Sequence, residues 1–186
     1  MTAPLALTMI LGGAPPTQFR DRVVRWVARQ LRDRDQLAVT LLDCVHDSPQ
    51  LPTEAIAARL DVADGFLVLT PEYTRGDPMT LERLLDAIDA PWAGKPVALI
   101  GYGGDSGGER AVARLQERFV ARRALALPEP LCCADAYGRF GLHGALYASL
   151  GEPLRLARLI ARLELCARAL RAARSARPAS VDTLRR

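Results

Sequence analysis

The sequence predicts an α/β fold: one five-stranded parallel sheet in the order 2-1-3-4-5, with helices on both faces. Two observations lead there. Short runs made largely of Val, Leu, Ile and Ala alternate with amphipathic stretches of helical period, and near-continuous apolar runs are how strands covered on both faces read. Strand, helix and strand in regular succession imply right-handed crossovers and therefore parallel neighbours. With 186 residues and 49% apolar composition, the chain suits one domain with a sizeable core. That domain is expected over 1–173, with 174–186 as a flexible tail.

The first expected strand is Leu5–Leu11, which ends at Gly12-Gly13. Phe19, Val23, Val27 and Leu31 then recur every four residues among Arg20, Arg22, Arg25, Arg29 and Arg32, the pattern of a helix with one apolar stripe. Leu37–Leu42, Gly65–Thr70, Pro96–Tyr102 and Ala124–Cys133 are the next four strands. A closing helix is marked by Leu156, Leu159, Ile160, Leu163, Cys166 and Leu170, with Arg158, Arg162 and Arg168 off the stripe. Cys132 and Cys133 fall in or at the end of the fifth strand, where cysteine behaves as a small hydrophobe. Trp26 and Trp92 read as core or interface anchors.

Composition removes several function classes. High apolar content and a net charge of only +4 exclude disorder as the bulk state. The uncharged stretch Met1–Phe19 is broken by Pro4, Gly12, Gly13, Pro15 and Pro16. Its apolar part falls far short of the roughly 18–20 residues of a membrane span. Without a basic leader, no signal peptide is expected. Cys44, Cys132, Cys133 and Cys166 form no CxxC pair, and His46 and His143 show no ligand spacing. No metal site or disulfide framework is expected, and a reduced, cytoplasmic setting fits. Of 25 basic residues, Lys95 is the only lysine, and the pI near 9.2 raises nucleic acid as a partner. Against it, aromatics make up only 5% and the arginines are mixed with acids, as in Arg32-Asp33-Arg34-Asp35. They read as solvated helix faces, so neither nucleic acid nor membrane is expected.

In a sheet of this order, ligands sit beyond the carboxyl ends of the strands, at the switch point between strands one and three. Three loops meet on that rim. They are Gly12-Gly13-Ala14-Pro15-Pro16-Thr17-Gln18, Pro71-Glu72-Tyr73-Thr74-Arg75-Gly76-Asp77-Pro78 and Gly103-Gly104-Asp105-Ser106-Gly107-Gly108. The loop after strand two, Asp43–Pro52, has no glycine and lies towards the sheet edge. Gly12 and Gly13 suit either a phosphate loop or a strand end against which a helix packs. His143 reads as a loop residue.

Thr70-Pro71-Glu72-Tyr73, the helix opening at Pro78, Gly94-Lys95-Pro96-Val97 and Gly103-Gly104-Asp105-Ser106-Gly107-Gly108-Glu109-Arg110-Ala111 stand in this order. Together they resemble the NADPH-dependent FMN reductase family, over roughly residues 5–170. The resemblance implies a flavodoxin-like three-layer sandwich and an FMN-dependent oxidoreductase. Such an enzyme carries hydride from NADPH or NADH to flavin and on to a small electron acceptor, and works as a homodimer or homotetramer. It also implies that the cofactor is held by Gly12, Gly13, Thr17, Gln18 and Arg20 at the phosphate. Pro71, Glu72, Tyr73, Thr74, Gly103, Gly104, Asp105 and Gly107 would lie at the ring, and Arg75 would reach the NADPH phosphate or the substrate. Hydride chemistry belongs to the cofactor, so no nucleophile or base dyad is required, and none is recognisable. Where the family's phosphate loop carries serines and an arginine, this chain has Gly13, Pro15 and Thr17 or Gln18. Pro15 and Pro16 offer no N–H. Those departures also suit a flavin-free relative that serves as a binding or assembly module.

Overall fold

The computed structural model describes residues 3–13, 18–32, 34–47, 51–72, 80–147, 149 and 151–176. Along them run β1 (Leu5–Leu11), α1 (Gln18–Arg32), β2 (Leu37–Asp43), α2 (Cys44–Asp47), α3 (Thr53–Asp61), β3 (Gly65–Pro71) and α4 (Thr80–Ala87). After a 3-10 turn at Ala90–Trp92 come β4 (Pro96–Tyr102), α5 (Glu109–Ala121), β5 (Leu125–Ala126), β6 (Leu131–Cys133), α6 (Ala136–Arg139) and α7 (Glu152–Ser175). Every ladder is parallel, and the order is β2-β1-β3-β4-β5 with β6 also on β4. This is the expected flavodoxin-like order. Helix α7 continues through Ser175, past the expected start of the tail. No helix among the described residues is long and apolar enough to cross a membrane.

The apolar runs are continuous because each strand feeds two cores. Leu5, Leu7, Met9 and Leu11 of β1, Leu67 and Leu69 of β3, and Ala98 and Ile100 of β4 pack with Val23, Trp26 and Val27 of α1 and Leu156, Ile160 and Leu163 of α7. The alternate residues Ile10, Phe66, Val68, Val97 and Leu99 pack with Ile56, Leu60, Leu85, Val112 and Phe119 from α3, α4 and α5. A period of two on a sheet covered on both sides sends successive side chains to opposite cores. Trp92 lies in the second core between Phe66 and Phe119, ring centroids 4.8 and 5.3 Å away.

Two elements differ from expectation. The fifth strand is two short pieces, with β5 on Pro96–Val97 and β6 on Ile100–Tyr102. Between them Pro128 and Pro130 have no N–H for the ladder, and Glu129 is left-handed, φ 60°. Strand β2 has the apolar content of a buried strand, yet Ala38–Leu41 are exposed, with Leu41 45% accessible. It is the edge strand, and a run of apolar residues carries no mark of edge or centre.

Candidate functional site

The carboxyl ends of β1, β3, β4 and β6 converge on one rim, and the first turn of α1 opens on it. Gly12 N–H donates to Leu69 O of β3 at 2.9 Å, which fixes the end of β1. A Cβ on Gly12 would lie 2.9 Å from Leu81 Cδ2, so α4 packs here only against a glycine. Gly13 has φ 98°, a conformation that glycine adopts at little cost. Thr17 and the side chain of Gln18, both expected at a phosphate, lie outside the described residues. The first amides of α1 have no partner inside the helix and carry the positive end of its dipole, which suits a phosphate.

Arg20 is placed at the rim and buried, with its charge directed at a protein partner. Its Nη2 is 2.8 Å from Asp43 Oδ2 and its Nη1 donates to Asp43 Oδ1 at 3.2 Å. Asp43 ends β2 and also accepts Val45 N–H at 3.1 Å. The pair therefore anchors the start of α1 to the neighbouring strand. Two of its nitrogens are held by Asp43, and the backbone N–H groups at the start of α1 are the further donors a phosphate could meet. Asp43 went unremarked at the sequence level because the loop it opens has no glycine. Its position at the end of the strand beside β1 was the available signal.

The β3 and β4 rims are tied directly. Glu72 N–H donates to Tyr102 O at 2.7 Å, and Ser106 Oγ donates to Glu72 Oε1. Glu72 Oε2 is buried with no hydrogen-bond partner among the described residues. A Cβ on Gly103 would collide with Glu72 Cβ and lie 2.8 Å from Oε2, whereas one on Gly104 would meet Oε2 alone, at 3.6 Å. Gly107 is left-handed, φ 60°, and a Cβ there would sit 2.5 Å from the carbonyl carbon of Cys133. Gly103, Gly107 and Gly108 thus let protein approach protein closely, whereas a Cβ on half-buried Gly104 would meet only Glu72 Oε2 among the described residues. Asp105 beside Gly104 is exposed. Pro71 is half-buried at the end of β3. Tyr73, Thr74 and Arg75 lie outside the described residues.

The far wall of the rim is segment 134–147, in which the sequence marked only His143, as a loop residue. Asp135 and Ala136 donate their N–H groups to Gly104 O and Gly103 O at 2.9 and 2.8 Å. Arg22 Nη1 donates to Phe140 O at 3.3 Å and Arg25 Nη1 to Leu142 O at 2.8 Å. Arg139 pairs with buried Glu152 at the head of α7. Tyr137 stacks on Phe19 at 4.3 Å, with Tyr102 edge-on to Phe19 at 5.8 Å. Aromatic residues scattered in the chain are thereby gathered at the site. His143 is exposed in a turn of this wall.

The thiols near the rim are poor nucleophiles. Burial first, and then the charge of Glu152, pushes Cys133 up to about 12. Burial, helped by Asp43 and Asp47, does the same to Cys44. Cys132 is also raised, chiefly by burial. A thiol that stays protonated neither attacks nor exchanges readily. The rim offers backbone donors at a helix N-terminus, a glycine-lined loop and aromatic surface, which fits a phosphorylated planar cofactor.

Over residues 6–137 the chain matches the family model of NADPH-dependent FMN reductase. It is 30% identical over 122 residues to an NAD(P)H-dependent FMN reductase of Schizosaccharomyces pombe, covering 56% of this chain and 61% of that one. It is 40% identical over 60 residues to a 2-hydroxy-1,4-benzoquinone reductase of Burkholderia sp, covering 30% and 32%. The chain thus spans less than two-thirds of the length of these curated relatives. Its fold is similar to that of the flavoenzyme NAD(P)H:(acceptor) oxidoreductase from Paracoccus denitrificans. That likeness has a TM-score of 0.68 at 17% identity and covers 88% of this chain and 98% of the other.

Proposed function

Because this chain belongs to the NADPH-dependent FMN reductase family, we propose that it is an FMN-dependent NAD(P)H oxidoreductase. In this reading it takes hydride from NADPH or NADH and passes it to a small acceptor such as free flavin or a quinone. The observation that carries the reading is the packing of Phe19, in the first turn of α1, against Tyr102 at the end of β4, which brings the α1 N-terminus beside the glycine loop 103–108 near the switch point. Bound FMN would supply the hydride chemistry. The chain's own residues bind, orient and shield it.

Gly12, Gly13, Thr17 and Gln18 are assigned to the phosphate, with Arg20 holding the loop through Asp43. Pro71, Glu72, Tyr73, Thr74, Gly103, Gly104, Asp105 and Gly107 are assigned to the ring, and Arg75 to the NADPH phosphate or acceptor. A single domain over 1–173, assembled as a homodimer or homotetramer in the cytoplasm, completes the reading. The quinone specificity of the Burkholderia relative supports the acceptor class. The test is a visible spectrum of the purified protein before and after FMN, followed by NADPH oxidation with a quinone. A bound flavin spectrum and turnover are expected. Protein that stays colourless and leaves FMN fluorescence unquenched in titration refutes the assignment.

A further inference from the structure

We propose that Glu72 is a positioning residue that joins the β3 and β4 rims into one cradle and sets the redox balance of the flavin held there. The proposal rests on the reading just given. Glu72 holds both rims at once, through its N–H to Tyr102 O and its Oε1 to Ser106 Oγ. Gly103 is pressed against its side chain so closely that no Cβ fits between them. On the other side, Gly103 O and Gly104 O accept the N–H groups of Ala136 and Asp135. The β4 loop is therefore clamped between Glu72 and the far wall, and Ser106 is its only side-chain tie to Glu72 among the described residues.

The second carboxylate oxygen is what takes this beyond a strut. One oxygen suffices to hold Ser106. Oε2 is nevertheless buried and unpartnered among the described residues, an arrangement that folding alone disfavours. It is also the atom that a side chain at Gly104 would meet, at 3.6 Å. It therefore lies beside the one position of this loop where, among the described residues, a side chain would meet no other protein atom. A planar ring seated against Gly104 has this carboxylate as its neighbour. Reduction adds an electron pair to the ring, and a nearby negative charge opposes that addition, most strongly where water is excluded. Glu72 thus holds the flavin at a lower potential than the cradle would without its charge, which favours onward delivery to an acceptor.

The experiment compares wild type, Glu72→Gln and Ser106→Ala. FMN dissociation constants are read by flavin fluorescence quenching, and midpoint potentials by equilibration with a reference dye. Glu72→Gln keeps an oxygen for Ser106 and removes the charge. It is expected to raise the ratio of reduced to oxidised FMN affinity about tenfold, a potential about 30 mV more positive for a two-electron couple. Ser106→Ala loosens the loop with the charge retained, so it should weaken oxidised and reduced FMN alike and leave the potential in place. An unchanged potential in Glu72→Gln overturns the proposal while FMN binding stands. Should that variant fail to fold, an unaltered FMN affinity in Ser106→Ala overturns it instead. Wild-type protein that binds no FMN overturns both this and the functional reading.

Discussion

At the base of the sheet, Asp64 gathers three elements with both its oxygens. Oδ2 accepts Ala6 N–H at 3.1 Å and Arg171 at 3.2 Å, and Oδ1 accepts Arg174 at 3.2 Å. Beside it Lys95 donates to Leu60 O and Asp61 O at 3.1 and 2.6 Å, closing the end of α3. At the rim, eight residues further on and past the other end of β3, Glu72 has one oxygen held by Ser106 and the other buried without a partner among the described residues. Both ends bury a carboxylate. Asp64 is matched on both oxygens, whereas Glu72 keeps one buried oxygen without a partner among the described residues. A buried polar group left unmatched is costly for folding, so its retention at one end marks where selection by a ligand competes with stability.

The largest expected break of that contrast is Asp64→Ala. It leaves the Ala6 amide without its acceptor and takes the carboxylate from Arg171 and Arg174, which keep only backbone carbonyls of Ala3, Pro4 and Gly94, and should cost about 2–3 kcal/mol. Urea unfolding would read this, and FMN affinity under native conditions should be unaffected. At the rim, Gly103→Ala forces a Cβ into Glu72 and should cost about 2 kcal/mol as overpacking, together with FMN binding. Gly104→Ala, whose Cβ would make one ordinary contact among the described residues, should stay within about 0.5 kcal/mol of wild type and act on FMN affinity alone. Equal losses of stability in the two glycine variants would mean that the loop is not divided as described.

A further effect sharpens the comparison by pH. Cys44 opens α2 just after β2 and Cys133 ends β6, both on the rim side, and both are pushed up to about 12 from an ordinary 9.0. The folded protein therefore keeps protons that the unfolded chain releases above pH 9, and stability falls as pH rises from there towards 12. Between pH 8 and pH 10 each thiol should contribute a loss of about 1.4 kcal/mol. Cys44→Val should flatten the alkaline limb of a stability profile by that amount. A profile that keeps the wild-type slope would show that Cys44 is accessible to ionisation.

The strands of this fold were legible because burial on both faces demands continuous apolar runs, and β1, β3 and β4 fall where those runs fall. The edge position of β2 was not, since Val39 and Leu41 would look the same in the middle of a sheet. The rim loops were legible by their glycines, but the partners of those glycines were not. Gly103 meets Glu72 and Gly107 meets Cys133 only once β3, β4 and β6 are side by side. The arginines show the same division. Their helical spacing identified exposed helix faces, yet many of them cap backbone carbonyls of distant segments. Arg25 reaches Leu142 O, Arg122 reaches Leu85 O and Arg174 reaches Gly94 O.

What composition and periodicity settle is local: which residues form strands, which face of each helix is apolar, and which loops must turn tightly at strand ends. Backbone geometry repeats every two or 3.6 residues, so those properties are written within a few residues of where they act. Which charges cancel was decided across the sheet. The partner of Arg20 became visible only when β2 lay beside β1 and brought Asp43 to it. Glu72 looked like one member of a four-residue motif until the β4 loop folded over its side chain. Pairings over such separations depend on strand order and register, and no window of sequence contains both partners.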